Sequence, residues 1–184
     1  MKKTFFIVSL MMVTVFQSHA QKYLTKNGFI RFYSDAPIEK IEANNRQVNA
    51  VLDASTGDFV FRVLMKSFVF EKALMQEHFN ENYVESDQYP NSTFIGKINN
   101  LKEINLSKEG IYPATVQGKL TIHNVTHDIT VAGTVEVKKD ALAAKAKFTV
   151  AVGDYNISIP NTLVNNISKT IEITVDVFLD KLNQ

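Results

Sequence analysis

The pattern that most constrains this chain is a two-residue alternation of apolar and polar side chains, repeated in run after run between Ala114 and Asp180. Val116, Gly118, Leu120 and Ile122 oppose Thr115, Gln117, Lys119 and Thr121, and Ile129, Val131, Gly133, Val135 and Val137 oppose Thr130, Thr134, Glu136 and Lys138. Leu142, Ala144, Ala146, Phe148, Val150 and Val152 then oppose Lys145, Lys147 and Thr149, and in the closing run Ile171, Ile173, Val175, Val177 and Leu179 oppose Glu172, Thr174 and Asp176. Period two sends successive side chains to opposite faces, so each run reads as a strand with one dry and one wet face. At about ten residues the strands exceed the usual five or six. Turns at His123 to His127 and at Lys139-Asp140 make neighbours antiparallel. Long strands of this kind expose vulnerable edges unless the sheet closes on itself. The predicted fold is therefore all-β, an antiparallel up-and-down barrel, with a two-sheet sandwich as the competitor.

The N-terminal half is less regular. Asn27-Gly28 reads as a turn between strands at 22–25 and 29–34, the latter with both faces partly apolar, and Asn44-Asn45 as a break between short strands at 38–43 and 48–53. Ser55 to Asp58 turns into a strand that places Phe59, Phe61, Val63 and Met65 on one side. The period then changes. Ala73, Leu74, Met75, His78, Phe79 and Tyr83 recur at spacings of three and four, which predicts a single sizeable helix within Ser67 to Pro90, centred on about 71–83. Proline pushes Tyr89 out of the helical region and should end it. Such a helix can either plug the core or lie as a lid across an opening.

Met1 to Ala20 has two lysines, an apolar core from Phe5 to Phe16 and a small-residue ending, Ser18-His19-Ala20, the form of a secretory signal cleaved after Ala20. Its apolar run falls short of the ~20 residues of a membrane span. Without Lys2 and Lys3, the 20 basic residues become 18 against 19 acidic ones, a formal charge of −1. That balance offers nothing to nucleic acid or to an anionic surface. The absence of cysteine excludes disulfides, thiolate metal sites, a cysteine nucleophile and an acylated cysteine anchor. The expectation is a single domain, 21–184, periplasmic or secreted, without stable membrane insertion.

Signatures of catalysis are missing. There is no G-x-S-x-G, H-E-x-x-H, P-loop or Rossmann glycine pattern. His123 and His127 are four apart, but in a strand-turn-strand context they read as a solvated hairpin turn and not as metal ligands. His78, on the helix between Glu77 and Glu81, reads first as a half-buried histidine bonded to a backbone carbonyl. Its functional alternative is a polar anchor at a cavity edge. Acid-base work with Glu77 or Glu81 would need a third group that the sequence does not nominate. Phe59, Phe61, Phe68, Phe70, Phe79, Phe94 and Phe148 either line a hollow barrel or fill a packed one, and periodicity does not choose between the two.

Three segments, taken together and in order, resemble the YceI-like family of secreted lipid-binding proteins: ALMQEHFNENYVESDQYPNSTFIGKI at 73–98, ATVQGKLTIHNVTHDITV at 114–131 and DYNISIPNTLVNNISKTIEITV at 154–175. Asn124 stands where the family usually has glycine, and the N-terminal part lacks the family's frequent tryptophan. The resemblance implies a lipocalin-like, eight-stranded barrel with the helix across one opening. It also implies a long amphiphile inside, such as a polyisoprenoid, isoprenoid quinone or fatty amide, and leaves a homodimer open. On that basis Phe59, Phe61, Val63, Phe94, Leu120, Ile122 and Phe148 are expected to touch the tail. Phe68, Phe70, Leu74, Met75, His78 and Phe79 are expected to form the closing wall. The expected protein is a non-enzymatic lipid carrier with no cofactor or metal. A β-module with a filled core, or a lipid-modifying enzyme using His78, are the rivals.

Overall fold

The computed structural model describes residues 21–182, in which nine strands form one antiparallel sheet. β1 (Lys22–Asp35), β2 (Lys40–Asp53), β3 (Asp58–Leu64), the two-residue β4 (Val69–Phe70), β5 (Asn91–Ile98), β6 (Gly110–Ile122), β7 (Val125–Val137), β8 (Ala141–Ala151) and β9 (Thr170–Lys181) follow one another along the chain. Their order in space is β1-β9-β8-β7-β6-β5-β3-β2-β4. Because β1 also pairs with β2, the sheet closes into an eight-stranded barrel, with β4 appended to β2. The barrel, and not the sandwich, is the fold. The segment read as a signal, Met1 to Ala20, lies outside the described residues.

Both breaks expected in the first two strands are bulges instead. β1 runs through Asn27-Gly28 with register shifts between Thr25 and Ile30, and β2 runs through Asn44-Asn45 as a single 14-residue strand. The reason is visible at Asn45, which is fully buried. β2 changes partner there, from β3 at Val48 to β4 at Asn44. The Asn45 side chain bridges the gap: Nδ2 donates to the Leu64 carbonyl at 2.9 Å, and Oδ1 accepts the Gln47 amide at 2.8 Å. A side-chain amide thus replaces missing ladder bonds. Asn45→Ala leaves both peptide groups without that partner and is expected to cost about 1–3 kcal/mol in urea unfolding.

The β6–β7 turn is also tighter than expected. It has two residues, His123 and Asn124, at φ 48° and 60°, the primed geometry whose twist matches the flanking strands. Asparagine tolerates that left-handed position, which explains how it can stand in a glycine's place. His127 consequently sits on β7, opposite Leu120 and on the inward face.

The two ends of the barrel differ. At one, Leu52, Ile98, Leu142, Val177 and Leu179 pack with almost no exposure, and Leu101 and Ile104 close over them. The other end is covered by a lid and a strap. The lid is a helix, α1 (Ala73–His78), that widens into a π turn over Phe79–Tyr83. The strap is the irregular stretch 152–169, tied down where the Ser168 amide donates to Ser34 Oγ at 2.9 Å. The helical run is shorter than the stretch 67–90. Its first residues go instead to a 3-10 turn (Met65–Ser67) and to β4, where Phe70 pairs with Ala43. It stops well before Pro90, because Glu85 takes a left-handed φ of 44° and the Ser86 amide turns back to the Asn80 carbonyl at 2.8 Å.

Candidate functional site

Between the packed end and the lid lies a cavity of about 530 Å³, a size typical of small-molecule sites. Small residues stand at inward positions of its wall, Gly133 of β7 and Ala144 and Ala146 of β8. Gly96 and Gly118 face each other across β5 and β6, and the Phe94 ring lies over them. A Cβ on Gly118 would come within 2.4 Å of the Gly96 Cα and the Ile95 carbonyl, so these strands approach as only glycine permits.

All thirteen residues singled out from the sequence lie in the cavity wall. Phe59 belongs to its floor and joins Phe61 and Phe94 in a run of rings at 4.5 and 6.2 Å. Val63 follows Phe61 along β3, while Leu120 and Ile122 from β6 and Phe148 from β8 belong to one apolar cluster with Tyr155 and Ile171. Phe68, Phe70, Met75 and Phe79 close the lid side. Leu74 and His78 stand at the mouth: Leu74 is 61 % exposed, and His78 is exposed as well, not half-buried. Among the described residues no carboxylate pairs with His78, and no group of three or more metal-ligating side chains occurs.

Sequence reasoning passed over Phe32, which turns out to be central to the lid. Its ring lies 5.6, 5.7 and 6.3 Å from those of Phe70, Phe79 and Phe68. β1 gave no clean signal because Phe29 and Tyr33 give its other face the same apolar look. On the barrel exterior those two rings are covered by guanidinium groups, Arg46 over Phe29 at 4.7 Å and Arg31 over Tyr33 at 5.7 Å. Ile171, Ile173 and Val175 of β9 and Tyr155 and Ile157 of the strap also line the cavity.

His123 is the second correction. It is not a solvated turn residue, its side chain being only 12 % exposed. Its Nε2 lies 2.7 Å from a Glu85 carboxylate oxygen and its Nδ1 lies 3.2 Å from the Tyr155 carbonyl, with the Tyr89 ring edge-on at 4.6 Å. One side chain at the hairpin tip therefore joins the exit of the lid to the strap. A left-handed non-glycine residue costs ~1–2 kcal/mol, and Glu85 bears that cost where glycine could not supply the carboxylate. His123→Ala is expected to raise amide exchange in 83–89 and 153–157 while the packed end of the barrel keeps its protection.

The lid and strap tyrosines supply a pH response. Burial pushes the Tyr83 phenol up, and burial together with the Asp154 charge does so at Tyr155; at the packed end Tyr23 is raised by burial and then by Asp140. Above the ordinary value of 10.0 the unfolded chain loses these protons while the native one keeps them. Their contribution is therefore complete below that pH and is lost as pH rises through the folded values. Denaturation midpoints measured across this range are expected to fall on the alkaline side, and less steeply in Tyr155→Phe.

The model of the YceI-like domain family matches residues 22–179. Among solved structures, a polyisoprenoid binding domain from Saccharophagus degradans, implicated in plant cell wall breakdown, is 14 % identical with a TM-score of 0.77, covering 89 % of this chain and 100 % of that one. BcnA of Burkholderia cenocepacia is 14 % identical with a TM-score of 0.67, over 83 % of this chain and 95 % of that one. The YceI protein of Campylobacter jejuni is 17 % identical with a TM-score of 0.58, over 77 % and 85 %. No curated protein sequence matches. At these identities the structures share the barrel, and the family match runs from the start of β1 almost to the end of β9: the chain belongs to the YceI-like domain family.

Proposed function

We propose that this protein is an exported carrier or store of a long-chain amphiphile, of the polyisoprenoid, isoprenoid quinone or fatty amide class, and that it performs no chemistry on it. The observation that carries this reading is the closed barrel's hollow half, walled almost wholly by aliphatic and aromatic side chains. Such a space suits a hydrocarbon tail. Each buried methylene contributes about 0.8 kcal/mol, so a tail of ~20 carbons offers ~16 kcal/mol gross against the several kcal/mol of association. Binding needs no charged anchor inside, only a dry tunnel and a wet mouth. The polyisoprenoid-binding relative supports the ligand class, and the leader-like Met1 to Ala20 supports export. A filled-core module does not account for the cavity, and exposed His78 without a carboxylate partner does not favour an enzyme.

The experiment is native mass spectrometry of the protein purified from its own host, with extraction and identification of whatever is bound. A long-chain lipid at one per chain, and an N-terminus at Gln21, are expected. Failure to find or load any apolar ligand over repeated preparations would sink the proposal.

A further inference from the structure

The cavity mouth is ringed by apolar side chains that nothing in the described chain covers. Ile38 is 70 % exposed, Leu74 61 %, Leu163 37 % and Val164 36 %. They come from three segments: the β1–β2 turn, the start of α1 and the strap. The Ile38 amide donates to the Asn165 carbonyl at 2.9 Å, and Lys72 pairs with Glu39 at 3.0 Å, so the three segments are held as one rim. Leu74 and Leu163 also line the cavity, which makes the rim the outward continuation of its apolar wall.

We propose that this rim docks on the surface of a zwitterionic lipid bilayer, and that the amphiphile passes from bilayer to cavity there without crossing water. This rests on the carrier reading above. The transfer itself supplies one argument: at about 0.8 kcal/mol per methylene, releasing a tail of ~20 carbons into water costs ~16 kcal/mol, so escape through solvent is negligibly slow. A continuous apolar path removes that barrier. Charge supplies the second. On the segments that build the rim, Glu39 pairs with Lys72 and Lys40 with Asp35 at 3.3 Å, Glu71 and Glu77 are acidic, and Lys169 at the end of the strap is a single basic residue. A rim of this kind lacks the basic cluster that anionic headgroups attract, and it matches a surface without net charge. Area supplies the third. Four side chains fall far short of the roughly 20–30 residues a side of a stable protein interface. Shallow, reversible contact with a headgroup layer demands no such area.

The test loads the full mature chain with a fluorescent long-chain isoprenoid from two donors, phosphatidylcholine vesicles and a soluble cyclodextrin complex. From vesicles the loading rate is expected to rise in proportion to vesicle concentration. Ile38→Asp with Val164→Asp, two rim residues outside the cavity wall, should slow it about tenfold, the equivalent of about 1.4 kcal/mol. Loading from cyclodextrin should be unchanged in the same variant. A vesicle rate that is independent of vesicle concentration, or that the double substitution leaves intact, overturns the docking surface while the carrier reading stands. So does a dimer in solution that the double substitution dissociates with no effect on vesicle loading, which would assign the rim to a second copy. Wild-type protein that takes up nothing even from cyclodextrin removes the carrier reading, and the docking proposal with it.

Discussion

Phe61→Asp is expected to lower lipid loading by about 100-fold or more, the equivalent of roughly 2.7 kcal/mol, whereas Lys119→Ala leaves it unchanged. Phe61 points into the cavity between Phe59 and Phe94, where a carboxylate would have no partner and the tail would lose an aromatic wall. Lys119 lies on the opposite face of β6, in an exposed pair with Asp128 at 3.0 Å. Equal effects of the two substitutions would refute the assignment of faces. Because a buried charge also weakens the fold, Ala146→Phe gives an uncharged counterpart. It directs a ring into the empty space from β8 and is expected to block loading without lowering the unfolding midpoint. If Ala146→Phe loads as well as the wild type, the ligand does not occupy this cavity. The measurement in each case is titration with a fluorescent long-chain lipid beside a thermal melt of the same sample.

Gly118→Ala carries the largest expected effect on stability. The added methyl would lie 2.4 Å from two backbone atoms of β5, and backbone in a closed barrel cannot move aside as a side chain does. A loss of about 2–3 kcal/mol is expected, lowering Tm by about 4–12 °C. Gly153→Ala is the control, since a Cβ there would meet nothing within 4 Å. A melt in which the two variants coincide would mean that β5 and β6 do not approach as closely as described.

The inward and outward faces of β3, β5, β6, β7, β8 and β9 were legible because each alternates over many residues, and alternation is a local consequence of strand geometry. The lid was legible as a change of period. Its length was not, because Phe68 and Phe70 are drawn into β4 by pairing with β2, and Glu85 ends the helix through a long-range contact with His123. Phe32 was hidden for a related reason. Arg46 and Arg31 cover the outward rings of β1, so an apolar residue on that strand does not by itself mark the core. Asn27-Gly28 and Asn44-Asn45 carry turn chemistry, yet the chain passes through both in β-strands, the first with shifts of register and the second where the side chain of Asn45 supplies hydrogen bonds that a turn would otherwise provide.

The sequence by itself determined that the chain is a sheet with one dry side, that one helical segment interrupts it, and that the phenylalanines of β3, β5 and β8 face inward. Those are properties of neighbouring residues. Whether the inward side chains meet and fill the interior, or stop short and leave a cavity, was decided only by the closed sheet. It depends on how strands far apart in the chain come together, above all where β1 meets β9 to close the barrel, and on where His123 pins the lid.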